Sequence, residues 1–271
     1  MLTHAICLEW VKNKTTSTLA FDIAQFFPSL NHQLLTLSLK KADFDPKVIS
    51  FFADFLIQRK TNYWWNEFSS LIYEVNVGVG QGSALSPILS TLYLSPLLYI
   101  LEKRLKSLNI PVSLISFVDD SLFISQNKSI AISNVQLSCS YNVLLGLLKK
   151  FGLSIEHSKT ETFHFNRFHR TFNPPPLDLS PLGGPTLYPK SSWKYLRFIF
   201  DQKLTFHQHI DFHSNKAIST IKCMKMIGNS TRGIKPTQKR LLYRCCALSI
   251  TLYRFQLWFY NRAPLSYPLK I

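Results

Sequence analysis

The chain has 271 residues, 46% of them hydrophobic, with 21 Phe and 11 Tyr; that is core material for one large domain or two modest ones and excludes a disordered tail. Lys and Arg outnumber Asp and Glu by 31 to 15, a net charge of +16, so a polyanionic partner is expected, nucleic acid ahead of an anionic membrane surface. The five cysteines (Cys7, Cys139, Cys223, Cys245, Cys246) form no C-x-x-C pair and are odd in number, which points to a reducing, intracellular compartment rather than a disulfide framework.

Residues 1–14 contain no apolar signal core. Residues 16–23 read as a β-strand with Leu19 and Phe21 on one face and Asp22 near its end. Pro28 and Ser29 are expected to open a helix through Leu30, Leu34, Leu35 and Leu39. Asp45 and Pro46 make a cap and first turn for a second helix, to about Gln58. Residues 61–77, rich in Tyr, Trp and Val with Asn66 and Glu67 midway, read as a β-hairpin. A glycine-rich turn, GVGQG at 78–82, leads into an apolar helix from near Ser83. The uncharged stretch 84–101 nears the length of a membrane span, but Pro87, Pro96 and its serines favour a buried core helix.

Residues 114–124 read LISFV, then Asp119 and Asp120, then SLFI: a tight hairpin with two acids at its tip. Helical periodicity over 132–151 stops at Gly152. Strand-like residues follow to Phe165. The stretch 173–185, with three consecutive prolines and Gly183–Gly184, is a loop or boundary, and 195–200 reads as a strand. Two basic amphipathic helices, 207–227 and 236–260, close the chain. From Lys190 onward there are 15 lysines and arginines against only Asp201 and Asp211, the pattern of a surface that follows a phosphate backbone.

Asp22 ends a strand, and Asp119 and Asp120 sit at a hairpin tip, so all three could project from one sheet. Adjacent carboxylates repel, and keeping both ionised calls for a cation. Mg²⁺ suits such oxygen ligands, with substrate phosphates completing its shell. Taken alone, however, an Asp-Asp turn is a good hairpin tip because Asp bonds its own backbone locally. His207, His209 and His213 contain an i, i+4 pair that zinc could use, but without an HExxH pattern or a cysteine partner they read better as surface or phosphate contacts.

The order of the segments decides between these readings. FDIAQFFPSLNH (21–32), GVGQGSALSP (78–87), FVDD (117–120), FGLSIEHSKTE (151–161) and WKYLRFIFD (193–201) resemble, in order, five motifs of the reverse transcriptases of non-LTR retrotransposons. Together they span about two-thirds of the chain. The resemblance implies an α+β right-hand polymerase palm with an antiparallel sheet, partial fingers and a basic helical thumb remnant. It implies that Asp22, Asp119 and Asp120 bind two Mg²⁺ ions, with Mn²⁺ a possible substitute. By the same resemblance Lys159 approaches the triphosphate, Phe27 excludes a ribose 2′-hydroxyl, and Gln81 and Gly82 pack against the incoming nucleotide and template. The implied partners are an RNA template, a DNA primer and a dNTP, with no membrane partner, in the cytoplasm or nucleus; the oligomeric state stays open.

Three segments are expected: a palm with partial fingers at 1–172, a Pro/Gly-rich connector at 173–190, and a primer-grip hairpin with thumb-like helices at 191–271. Two departures from the family's pattern stand out. Only 21 residues precede Asp22, so a fragment lacking the N-terminal fingers is expected. The primer-grip strand, usually Leu-Gly, is Leu196-Arg197 here, and an arginine should disturb close backbone packing. The activity implied is RNA-directed DNA synthesis; the rival is an inactive, truncated remnant that binds nucleic acid.

Overall fold

The computed structural model describes residues 2–118, 120–167, 173–227 and 233–259. They form two compact units, Thr16–Thr162 with Pro174–Pro189, and Met1–Thr15 with Phe163–Asn173 and Lys190–Ile271.

In the larger unit, strand β1 (Thr15–Asp22) is buried along almost its whole length, as befits an inner strand covered on both faces. It lies in a four-stranded sheet of order β6-β7-β1-β8, in which β6 is Val112–Phe117, β7 Asp120–Asn127 and β8 Glu161–Phe165. The Thr162 hydroxyl ties β8 to β1 by donating to the Thr18 carbonyl at 3.0 Å. Leu19 and Phe21 enter the core cluster as their alternation predicts.

The single helix expected from Pro28 is two pieces, α2 (Phe26–Ser29) and α3 (His32–Lys41). Leu30 and Asn31 take extended backbone between them, and the Asn31 side chain accepts the N–H groups of Gln33 and Leu34. A cap stronger than the leucine periodicity explains the break. Asp45 caps α4 (Pro46–Leu56) by accepting the Lys47 N–H at 2.7 Å. The expected hairpin is two nested pairs, β2 (Arg59–Thr61) with β5 (Tyr73–Val75), and β3 (Trp64–Trp65) with β4 (Phe68–Ser69), turning at Asn66.

Helix α5 (Ser86–Ser107) begins three residues later than expected and buries Leu89, Tyr93, Leu97, Leu101 and Leu105 in the core. Helix α6 (Ile130–Lys150) does the same with Leu137, Tyr141, Leu144, Leu147 and Leu148. It is the one helix among the described residues long and apolar enough to cross a membrane, and the residues just named pack in the core. Gly152, at φ +69, ends it. The stretch read as a loop or connector carries a small pair, β9 (Leu177–Asp178) with β10 (Thr186–Leu187).

The smaller unit contains α1 (Leu2–Val11), the hairpin of β11 (Ser192–Tyr195) with β12 (Phe198–Asp201), and α7 (His207–Met226). The strand expected at 195–200 is therefore a hairpin whose turn is Leu196–Arg197, at φ +47 and +63. A type I′ turn demands positive φ at both positions. The Arg197 side chain is exposed, so backbone conformation, not crowding, is what a glycine would ease there. The core is aromatic: Trp193 stacks on Tyr195 at 4.8 Å and on Phe163 at 5.8 Å. The surface role expected for the histidines fails at His209, which is 1% exposed and stacked on Phe198 at 3.9 Å. Burial holds the His209 and His213 imidazoles below the usual histidine range, so neutral aromatic packing replaces phosphate contact.

The last helix expected at 236–260 is broken into α8 (Pro236–Leu242), a π turn (Tyr243–Leu248), α9 (Ser249–Thr251) and α10 (Phe255–Trp258). Arg254 takes φ +54, and the Trp258 indole N–H donates to the Tyr253 carbonyl at 3.1 Å. That side-chain bond satisfies a carbonyl the break releases.

Candidate active site

Asp22 is the last residue of β1. The rings of Phe21 and Phe123 lie 5.0 Å apart, both in the core. Side chains alternate along a strand, so Asp22 and Asp120 both fall on the opposite face of the sheet. Phe117 pairs with Asp120, and the chain reverses between them. Val118 has φ +60 and packs on the core. Asp119 lies outside the described residues.

The chain returns to Asp22 after α6. The Ala24 N–H donates to the Ser154 carbonyl at 2.8 Å, and the Glu156 N–H donates to the Asp22 carbonyl at 2.9 Å. Ile23 and Ile155 form an antiparallel bridge between them. These backbone bonds set the start of a 3₁₀ turn, His157–Lys159. From it the Lys159 ammonium reaches Oδ2 of Asp22 at 2.7 Å, across 137 residues of sequence. The lysine side chain is 66% exposed and the aspartate 19%, so the pair contributes at most about 1 kcal/mol to stability. Its consequence is placement: an exposed cation held at a carboxylate.

Two buried tyrosines hold the returning segment. The Tyr93 hydroxyl of α5 donates to the Phe151 carbonyl at 2.6 Å. The Tyr141 hydroxyl of α6 lies 2.8 Å from Nδ1 of His157. Burial raises the Tyr93 phenol, opposed by a backbone hydrogen bond at Asn31, and raises the Tyr141 phenol, opposed by a hydrogen bond at Thr160. Both phenols keep their protons at neutral pH, and the Tyr141 hydroxyl and Nδ1 of His157 share a hydrogen bond.

The glycine loop is tied to α2. The Gly78 N–H donates to the Leu30 carbonyl at 2.7 Å, and the Val79 N–H donates to the Phe27 carbonyl at 2.8 Å. The Gly78 carbonyl accepts from Nη1 of Arg59 and Nε2 of His32, each at 2.7 Å. A Cβ at Gly78 would sit 2.6 Å from the Pro28 backbone, and φ there is +77. Gly78 is thus required both by conformation and by close approach. At Gly80 φ is not positive and a Cβ would meet only ordinary contact. Phe27 is half-buried beside Phe26, with ring centroids 5.7 Å apart. Gln81 and Gly82 are exposed.

Of the residues singled out in the sequence, the structure joins Asp22 to Lys159, puts Asp120 on the same sheet face, and ties Phe27 to the glycine loop. Tyr93 and Tyr141 were not singled out, and His157 and Gly78 stood within quoted motifs with no role of their own. The first two read as core aromatics; Gly78 differs from its neighbouring glycines only in three dimensions. Among the described residues no three His, Cys, Asp or Glu side chains cluster closely enough to hold a metal ion. Asp22 and Asp120 nevertheless supply hard carboxylate oxygens from one face of one sheet, the donor type a divalent magnesium ion takes.

The fold is that of a nucleic-acid polymerase. The chain is similar to two structures of apo telomerase from Candida tropicalis: one truncated from its C-terminal domain (TM-score 0.50, 16% identity, 73% of this chain and 37% of that one), the other at TM-score 0.51 and 14% identity, covering 96% and 46%. Residues 3–200 match the family "Reverse transcriptase (RNA-dependent DNA polymerase)", and the chain belongs to it. It is a member of a nucleotidyltransferase family that uses divalent metal ions. Two relatives from Drosophila melanogaster agree. One is the RNA-directed DNA polymerase from mobile element jockey, 27% identical over 75% of this chain and 22% of that protein. The other is the probable RNA-directed DNA polymerase from transposon BS, 24% identical over 88% and 26%. The resemblance to non-LTR retrotransposon polymerases therefore stands, and the chain spans about a quarter of the length of these relatives.

Proposed function

We propose that this chain is the polymerising part of an RNA-directed DNA polymerase, joining a dNTP to the 3′-hydroxyl of a DNA primer on an RNA template, inside the cell in the cytoplasm or nucleus. The observation that carries this reading is the Asp22–Lys159 pair, 2.7 Å across, on the sheet face that also bears Asp120. Asp22 and Asp120, with Asp119, would hold two Mg²⁺ ions. Bound there, such ions favour the ionised primer hydroxyl and stabilise charge on the leaving pyrophosphate. Lys159 reaches from the neighbouring turn to the triphosphate, neutralising it or giving the pyrophosphate a proton. Phe27, fixed through its carbonyl to the glycine loop, bars a 2′-hydroxyl, and Gln81 and Gly82 meet the nucleotide and template. The net charge of +16 suits a duplex bound through its phosphates.

Primer extension tests the reading. With poly-rA, oligo-dT, dTTP and Mg²⁺ the purified chain should extend the primer. Asp22→Asn should reduce extension by about 10³-fold, the scale expected when one stabiliser of transition-state charge is removed, and leave duplex affinity nearly unchanged. Full extension by that variant overturns the assignment of Asp22. A wild-type chain that binds the duplex and never extends it is the inactive remnant.

A further inference from the structure

We infer that Tyr141 is a positioning residue for Lys159, acting through His157. The inference rests on the reading of Lys159 as the group that meets the triphosphate. Lys159 ends a turn of three residues whose first is His157. The turn starts from the backbone bond between Glu156 and Asp22, and closes with the Thr160 N–H donating to the His157 carbonyl at 3.2 Å. Nothing in a short 3₁₀ turn is intrinsically stiff, so the direction in which Lys159 leaves it depends on what grips the turn. The grip is at His157. Its Nδ1 lies 2.8 Å from the hydroxyl of Tyr141, and Tyr141 is fully buried in the middle of α6. The Gly183–Gly184 loop closes on the same imidazole: a Cβ at Gly184 would come within 3.5 Å of Nδ1 and within 2.9 Å of the Leu179 Cβ.

The arrangement runs from a rigid helix, through one hydroxyl, to an imidazole, and two residues later to the ammonium on Asp22. Tyr141 touches neither acid nor lysine in this chain of contacts. Its ring fills the core, while its hydroxyl serves the turn. The two roles are separable, because Tyr141→Phe deletes the hydroxyl and keeps the ring.

The test reads the Lys159–Asp22 pair directly and needs no turnover. An amine acylates only when unprotonated and free to be approached, so an ion-paired lysine reacts slowly. The folded chain is treated with N-acetoxysuccinimide, and the acylation rate of each lysine is followed by mass spectrometry. Asp22→Asn sets the rate for an unpaired Lys159. Tyr141→Phe should speed acylation of Lys159 by about two- to tenfold, the range that loss of one net hydrogen bond produces. His157→Ala should do the same, and His157→Asn, whose amide can still bond the hydroxyl, should restore the slow rate. In an Asp22→Asn background Tyr141→Phe should have no further effect. Lys149 and Lys150, at the end of the same helix, serve as internal controls. An unchanged Lys159 rate in Tyr141→Phe and His157→Ala overturns the inference, and so does an equal rise at all lysines, which marks general loosening. Absent primer extension would sink the polymerase reading and leave these rates untouched; normal extension with unchanged rates would sink only the positioning role.

Discussion

The hairpin β6–β7 reverses direction between Phe117 and Asp120, and the hairpin β11–β12 between Tyr195 and Phe198. Neither has a glycine between its strands. Val118 sits at φ +60, Leu196 at +47 and Arg197 at +63, each a conformation that costs an L-residue on the order of 1–3 kcal/mol. What surrounds the strain differs. Beside the first turn, Phe117 is exposed, Asp120 starts the strand on the acid face, and Val118 packs against the core only partly buried. Beside the second, Trp193, Tyr195, Phe198 and Phe200 are all buried. One hairpin holds a tight turn next to groups proposed to do chemistry; the other holds its turn next to a buried aromatic core.

The largest effect should come from that aromatic core. Trp193→Ala removes a ring packed on Phe163, Tyr195 and Phe200 and should destabilise the smaller unit by about 4 kcal/mol. Phe117, 61% exposed, should cost under about 0.5 kcal/mol on truncation to Ala. Denaturant unfolding followed by hydrogen exchange resolves the two regions. Similar losses at both positions would erase the contrast between them.

Acid should divide the regions next. Burial pushes the His164 imidazole down to about 4, against about 6.5 in an unfolded chain. The folded state keeps it neutral while the unfolded state takes up a proton. Its stabilisation is therefore complete above about pH 6.5 and is lost as pH falls toward 4. Between pH 7 and pH 5 the loss is about 2 kcal/mol. His209 and His213 are depressed in the same direction, chiefly by burial. No histidine occurs in β6 or β7. His164 lies on β8, at the edge of the four-stranded sheet and separated from β7 by β1, and it belongs to the smaller unit with β11 and β12; exchange protection should thus fall between pH 7 and pH 5 in β8, β11 and β12 more than in β6 and β7, and His164→Phe should flatten the difference. A pH slope unchanged in that variant would remove His164 as its source.

These contrasts bear on what could be read from the residues alone. Local signals were legible: the Asp45–Pro46 cap, the Gly152 stop, the alternation around Leu19 and Phe21, and the two flanks of the acid hairpin. Each depends on neighbours in sequence. Asn31 was an equally local cap, but the leucines continued across it and masked the break. The Asp22–Lys159 pair spans 137 residues and was visible only through resemblance to a family. Nothing local marks Tyr141 as different from Tyr93 or any core aromatic, because its partner lies beyond the end of its helix. The β11–β12 turn was hidden for another reason: Leu196 and Arg197 are poor residues for positive φ, and packing around Trp193 overrides their preference.

That override yields the finest distinction between the hairpins. At Arg197 the side chain is exposed, so replacing it with Gly relieves the left-handed conformation and removes little packing. Glycine adds entropy to the unfolded chain, which offsets part of the gain. The balance should favour Arg197→Gly by about 0.5–1 kcal/mol. At Val118 the same relief is available, and more of it, because a β-branched residue tolerates positive φ poorly. Yet Val118 packs against the core, and Gly removes that side chain at a cost of about 1–2 kcal/mol. Val118→Gly should therefore lower stability slightly or leave it level, where Arg197→Gly raises it. Denaturant midpoints measured for both variants at one pH give the signs. If both rise, Val118 contributes strain and no useful packing, and the acid hairpin is held by its strand pairing alone.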